Sequence, residues 1–254
     1  MIGVVSAEWL KLRTVRSTYL LLAAAAVFVL LTAAWSANVA HIWDGRPAGG
    51  KIHTAASPEY LIMAPFEVCA AVLGTLGITA EYATGTIRAG LTVWPRRLTY
   101  LMAKVPVVAG AALAGALPGV LAAFLLGRLI VGDRPINGFR TPLGEAAPAL
   151  VASALMLVVA ALLALALGVI VRSAAGALAG ALTLLLVLPG VAAHLPAPWD
   201  SRVGSVLPTG LPGEITRAPD AAGTLGPVPA AVLLAAYAVV PLAAAAAVFV
   251  RRDA

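Results

Sequence analysis

Residues 60–97 read YLIMAPFEVCAAVLGTLGITAEYATGTIRAGLTVWPRR. The stretch from Tyr60 to Ala80 carries a single charge, Glu67, and is otherwise apolar or neutral. About 20 such residues cross the roughly 30 Å hydrocarbon layer of a bilayer as a helix. Residues 81–97 then bring a carboxylate, several hydroxyls, two glycines and a Pro-Arg-Arg ending. That run is too polar to lie in hydrocarbon and longer than an idle join needs, so it reads as a surface built to touch something.

The same alternation recurs along the chain. Apolar segments suited to spanning lie at about 19–40, 60–80, 105–127, 146–171, 174–193 and 228–250. The composition agrees: 61% of the 254 residues are hydrophobic and 11% charged, where an ordinary soluble domain has about a quarter charged. Six spans and their joins use nearly the whole chain, which leaves no stretch for a separate soluble core. The expected fold is an all-α polytopic membrane protein forming one domain over 1–254. The long basic N-terminal region and the length of the first apolar run predict an uncleaved first span. The lone Cys69 excludes an internal disulfide and a cysteine metal cluster.

Six spans put both termini on one side of the membrane. The terminal side carries ten Lys and Arg residues, the opposite side seven over longer loops. The positive-inside rule therefore predicts cytoplasmic termini in a cell-membrane, multi-pass protein. The formal charge of +6 is then a membrane-surface charge and not a nucleic-acid footprint. Before the first span, SAEWLKLRTVRS predicts an interfacial helix in which Trp9, Leu12 and Arg16 lie near one another while Glu8, Lys11 and Arg13 meet water or headgroups.

Several motifs point to little or no chemistry. Gly45 to Lys51 has the glycine and lysine spacing of a phosphate-binding loop, but Ile52 stands where its Ser or Thr belongs and no strand precedes it. His41, His53 and His194 show no metal-ligand spacing, so a membrane enzyme is weakly supported and no metal site is expected. Glu67 differs in kind: a carboxylate inside a span costs about 2.5–3.5 kcal/mol unless paired, protonated or facing water. It marks a possible substrate path, or a carboxylate that rises to the nearby interface. Gly115/Gly119 and Gly176/Gly180, at four-residue spacing, are the expected close contacts between helices. The outer loop from Pro196 to Pro227 is long enough to hold short helices against the membrane face.

In the 81–97 run, Ile87, Leu91 and Trp94 form an apolar stripe at helical spacing, edged by Arg88, Arg96 and Arg97. The pattern Glu81-Tyr82-x-x-Gly85-Thr86-Ile87-Arg88, followed by Pro95-Arg96-Arg97, resembles the cytoplasmic coupling segment of type-2 ATP-binding-cassette (ABC) export permeases of the kind common in actinobacteria. Glu8-Trp9-x-Lys11-Leu12-Arg13-Thr14-x-Arg16-Ser17 resembles that family's entry helix, and Phe249-Val250-Arg251-Arg252-Asp253 its usual ending. Leu207-Pro208-Thr209-Gly210 is a weaker echo. The resemblance implies a short cytoplasmic coupling helix over Glu81 to Arg97, between spans two and three. Glu81, Arg88 and the arginine pair would make polar contacts with a separate ATPase subunit, and the stripe would pack on it. It also implies ATP and magnesium on that partner only, and a cargo path at the interface with a second permease subunit, in a homo- or heterodimer. Two other classes stay open: an ion-coupled secondary transporter using Glu67, and a membrane immunity or scaffold protein that transports nothing.

Overall fold

The computed structural model describes residues 2–47, 50–94, 96–217 and 225–251. Among them are six helices long and apolar enough to cross a membrane, and no strand. A 13-residue entry helix, α1 (Ile2–Thr14), breaks at Val15, whose extended backbone (φ −83°, ψ 130°) turns the chain into the first span, α2 (Arg16–Gly45). A short turn, α3 (Pro58–Leu61), leads into α4 (Met63–Thr84) to make the second span. Then come α5 (Thr86–Val93), the third span α6 (Arg97–Val131), and the fourth, α7 (Leu143–Val171). The fifth span consists of α8 (Ala174–Leu182), a π-helical turn at Thr183–Val187 and α9 (Leu188–Ala192). Pro189 lacks an N–H for the regular ladder, and a widened turn just before it relieves the mismatch. Two short helices, α10 (Trp199–Val206) and α11 (Leu211–Thr216), precede the sixth span, α12 (Pro227–Arg251). All six expected spans are present, most of them longer at their ends than hydropathy alone indicated.

The bundle is built around α7, which is apolar on every face from Ala146 to Val171 and is the most buried of the six. A helix without a polar face belongs in an interior. Its main neighbour is α4, and glycine decides how close the two run. A Cβ added at Gly74 would lie 1.9 Å from the Ala161 carbonyl oxygen, and one at Gly168 would lie 2.7 Å from Ile78. These set the α4–α7 crossing, and the pairs expected from spacing are borne out only in part. Gly119 does face the Phe66 ring, but Gly115 faces open space, and Gly176 and Gly180 meet only side chains of their own hairpin. The spans α2, α8–α9 and α12 are peripheral and mostly exposed to the surroundings of the bundle.

The face opposite the termini is closed by a small second core of Val39, Trp43, Val131, Ile136 and Phe139. An isolated bridge between Thr54 and Asn137 ties the first two loops of that face together. Two arginine–carboxylate forks fasten it: Arg128 to Glu59 (3.1 and 3.2 Å) and Arg134 to Asp44 (2.6 and 2.9 Å). The loop that mimics a phosphate-binding turn lies here. Gly45 ends a helix where the first glycine of such a loop must follow a strand, and the Lys51 ammonium sits 4.8 Å from the Trp43 ring centre. Residues 48–49 of that loop, and 218–224 of the long outer loop, are outside the described residues.

Candidate functional site at the terminal-side face

The second span stops at Gly85. Its left-handed backbone (φ 70°) caps α4 through an N–H donated to the Tyr82 carbonyl and, in the same residue, starts α5. Most side chains are strained at that φ, so glycine is what lets the chain reverse within one residue. The expected single helix over 81–97 is therefore divided: Glu81 and Tyr82 belong to the end of α4, Thr86 to Val93 form α5, and Arg97 opens α6. The eight-residue α5 is held from inside by Ile87, which is buried, and by Gly90, where an added Cβ would lie 2.8 Å from the Tyr100 hydroxyl.

Beneath α5 lies a buried charge cluster contributed by three helices. Lys104, 1% exposed on α6, donates to Glu8 of α1 at 2.6 Å and to Glu81 of α4 at 2.7 Å. Lys11 spans the same two carboxylates, at 2.6 Å to Glu8 and 2.9 Å to Glu81. The Tyr100 hydroxyl donates to the other oxygen of Glu81 at 2.7 Å, and both ammonium groups lie within 6 Å of the Tyr100 ring centre. Two acids and two lysines balance in charge. Taking ions out of water costs several kcal/mol each, and only close, fully bonded geometry offsets this; all four ion contacts here are shorter than 3 Å. Burial opposes the charge on Lys11, yet hydrogen bonds and attraction from Glu8 and Glu81 outweigh it and raise its pKa above the ordinary 10.5. Its hold on α1 is thus complete below pH 10.5 and is lost only as pH climbs past that ordinary value.

This arrangement changes the roles expected from sequence. Glu8, expected in water or among headgroups, is buried, and Glu81, expected to contact a partner, is spent on intrachain partners. The interfacial helix is turned accordingly: Trp9 and Leu10 face outward, Lys11 reaches inward, and Arg13 and Arg16 are exposed. The outward surface of the 81–97 run includes Thr86, Arg88, Thr92, Val93, Trp94 and Arg96, with Val93 70% exposed. Arg97 is half-buried. Pro95, the side chain of Leu91, and Arg252 with Asp253 lie outside the described residues. Lys104 enters the sequence reading only through the charge asymmetry, and Tyr100 not at all. Lys104 lies one residue before the third span as hydropathy bounds it, so nothing in the sequence marked it as buried.

A second link reaches the fourth and fifth spans. Arg172 ends α7 in the left-handed region (φ 56°), donating its N–H to the Gly168 carbonyl, and its guanidinium lies 5.4 Å from the Tyr82 ring. The α7–α8 hairpin is thereby fixed beside the end of α4. Glu67 sits far from this face, near the start of α4. It is 4% exposed, shares a stripe with Ala71, Gly74 and Ile78 that turns toward α7, and makes no hydrogen bond or ion pair with a described residue.

The described residues thus form an entry helix, a polar helix-bearing turn between spans two and three, and a bundle of six helices long and apolar enough to cross a membrane. The profile of ABC-2 family transporter proteins matches residues 4–190, and the chain belongs to this family: it is a permease subunit of an ABC transporter. No curated protein matches the chain.

Proposed function

We propose that the chain is an export permease whose outward-facing α5 docks a separate ABC ATPase, and that the buried cluster carries the ATPase's movement into the spans. The observation that carries this reading is the cluster of Glu8, Lys11, Glu81 and Lys104, which joins α1, α4 and α6 directly behind α5. A push on α5 reaches the second and third spans through Gly85, Ile87 and the Gly90–Tyr100 contact, and the entry helix follows through its ion pairs. ATP and magnesium act on the partner chain. The termini lie in the cytoplasm, and an amphipathic or hydrophobic cargo passes at the interface with a second permease subunit.

In this reading the residues divide into docking and transmitting groups. Trp94 and Arg88 are on the exposed edge. Aromatic and arginine anchors at an interface commonly cost 2 kcal/mol or more on truncation, so Trp94→Ala and Arg88→Ala should each reduce co-purification with the cognate ATPase by about tenfold or more. Glu81→Ala should leave co-purification near wild type and lower efflux per ATP hydrolysed in the same vesicles. Wild-type capture by both edge variants would falsify the docking surface, and unchanged efflux per ATP in Glu81→Ala would remove the transmitting role. The buried, unpaired carboxylate of Glu67 supports one other reading, ion-coupled transport. Efflux that persists without ATP and stops in Glu67→Gln is the outcome that selects it.

A further inference from the structure

Where α1 meets α2, α4 and α6, a cavity of about 270 Å³ opens, walled by apolar side chains except at its mouth. The mouth is the charge cluster itself. A second cavity of about 80 Å³ shares Thr18, Leu21 and Leu73 with the first and extends the groove to Cys69 and Gly115. From Lys104 at the mouth to Gly115 at the far end is eleven residues of α6, or about 16 Å at the helical rise. That is roughly half the hydrocarbon thickness of a bilayer. The groove therefore has one charged end and the depth of a single leaflet.

Charge complementarity selects the occupant. Glu8 and Glu81 are buried and each is held by both lysines, and Lys104 is buried as well. The cluster charge that still reaches solvent is Lys11, whose side chain is 51% exposed, while Arg13 and Arg16, exposed two and five residues further along the chain, add positive field outside the groove lining. All three are cations. We propose that the groove binds an anionic phospholipid of the terminal-side leaflet, with its phosphate against Lys11, attracted also by the exposed Arg13 and Arg16, and one acyl chain running down to Gly115. A phosphate at Lys11 touches the residue that ties α1 to Glu81, so the charge of the membrane tunes how firmly the entry helix is held. The inference needs the bilayer placement of the bundle and is independent of ATPase docking and of the direction of transport.

The groove contains its own probes. Cys69 is the chain's single cysteine and lies in the wall. A Cβ added at Gly115 meets no atom within 4 Å, so a larger side chain there starts in open space, and Gly115→Leu is the variant that fills the groove. The purified chain is titrated with dioleoylphosphatidylglycerol or dioleoylphosphatidylcholine and observed by native mass spectrometry, alongside the rate at which N-ethylmaleimide alkylates Cys69. The expected results are a first lipid bound with at least about tenfold preference for the anionic species, and Cys69 alkylation slowed about fivefold or more by that species alone. Gly115→Leu should lose the first lipid with an unchanged melting temperature, and Arg13→Gln with Arg16→Gln should reduce the preference to about threefold or less. Equal binding of the two lipids, equal protection of Cys69 by both, or an undiminished first lipid in Gly115→Leu overturns the proposal. Glycerol 3-phosphate, a headgroup without chains, should not displace the lipid. Displacement at equal concentration would mean a soluble-phosphate site and overturns it too. None of these readouts involves ATP, so their failure is distinct from a failure of the docking surface.

Discussion

Lys104 shows how one side chain can hold a membrane protein's moving parts in register. Its ammonium is buried between Glu8 and Glu81, from helices that are 73 positions apart in sequence. Removing one partner of a buried ion pair typically costs about 3–5 kcal/mol, because it strands the opposite charge, whereas replacing a balanced set by apolar side chains is often nearly neutral. Lys104→Met should accordingly lower the unfolding midpoint in detergent by an amount equivalent to about 3–5 kcal/mol. Adding Glu81→Gln leaves only the Glu8–Lys11 pair, charge-balanced again, and should recover most of that loss. A double variant as unstable as the single one would show that the cluster acts through shape and not through charge balance. Little of this was legible from sequence, since Glu8, Glu81 and Lys104 each look like a surface charge near a span end. Their mutual neutralisation depends on a rotation of α1 that local spacing leaves free.

Among the elements, α5 and the α4–α7 pair differ in how readable they were. The polar break after span two was evident in the residues, and Gly85 with Thr86 marked its start. Which face of so short a helix turns inward was not evident, because Ile87 and Trp94 are equally good apolar candidates. Tyr100, on the next helix, fills the space beside Gly90 and settles the matter. Likewise, many glycines and alanines fit a close-packing pattern, while the partners that select Gly74 and Gly168 lie some 90 residues away on another span. The consequence is directly measurable. Gly74→Ala forces a methyl group against the Ala161 backbone and should destabilise the bundle by about 1–3 kcal/mol, the usual cost of overpacking. Gly110→Ala, on α6 with nothing within 4 Å, should be neutral or slightly stabilising, as Ala is favoured over Gly in a helix by about 1 kcal/mol. Thermal unfolding of the two purified variants compares them, and equal effects would mean that α4 and α7 do not depend on this crossing.

For the molecule as a whole, the six spans were readable because hydropathy is a local property that needs no partner, and the structure adds mainly their true ends. Orientation follows from charge asymmetry and is open to test. In a Cys69→Ala background, Lys51→Cys should react with an impermeant thiol reagent in intact cells and Arg96→Cys should not; reaction of both, or the reverse, would overturn cytoplasmic termini. The length of α6 bears on how the two membrane faces communicate. Its 35 residues extend about 52 Å at the helical rise, well beyond the roughly 30 Å of hydrocarbon. One end holds the ion cluster through Lys104, the other holds the outer loops through Arg128 and Glu59. Mechanically this is a beam clamped at both ends, and a tilt of about 5° swings its far end by about 4–5 Å over that length. Pro106 and Pro118 divide the beam into three segments with two compliant joints, since each proline removes a backbone hydrogen bond. How far a tilt at one face of the membrane carries to the Arg128–Glu59 clasp at the other is therefore set by the stiffness of those joints.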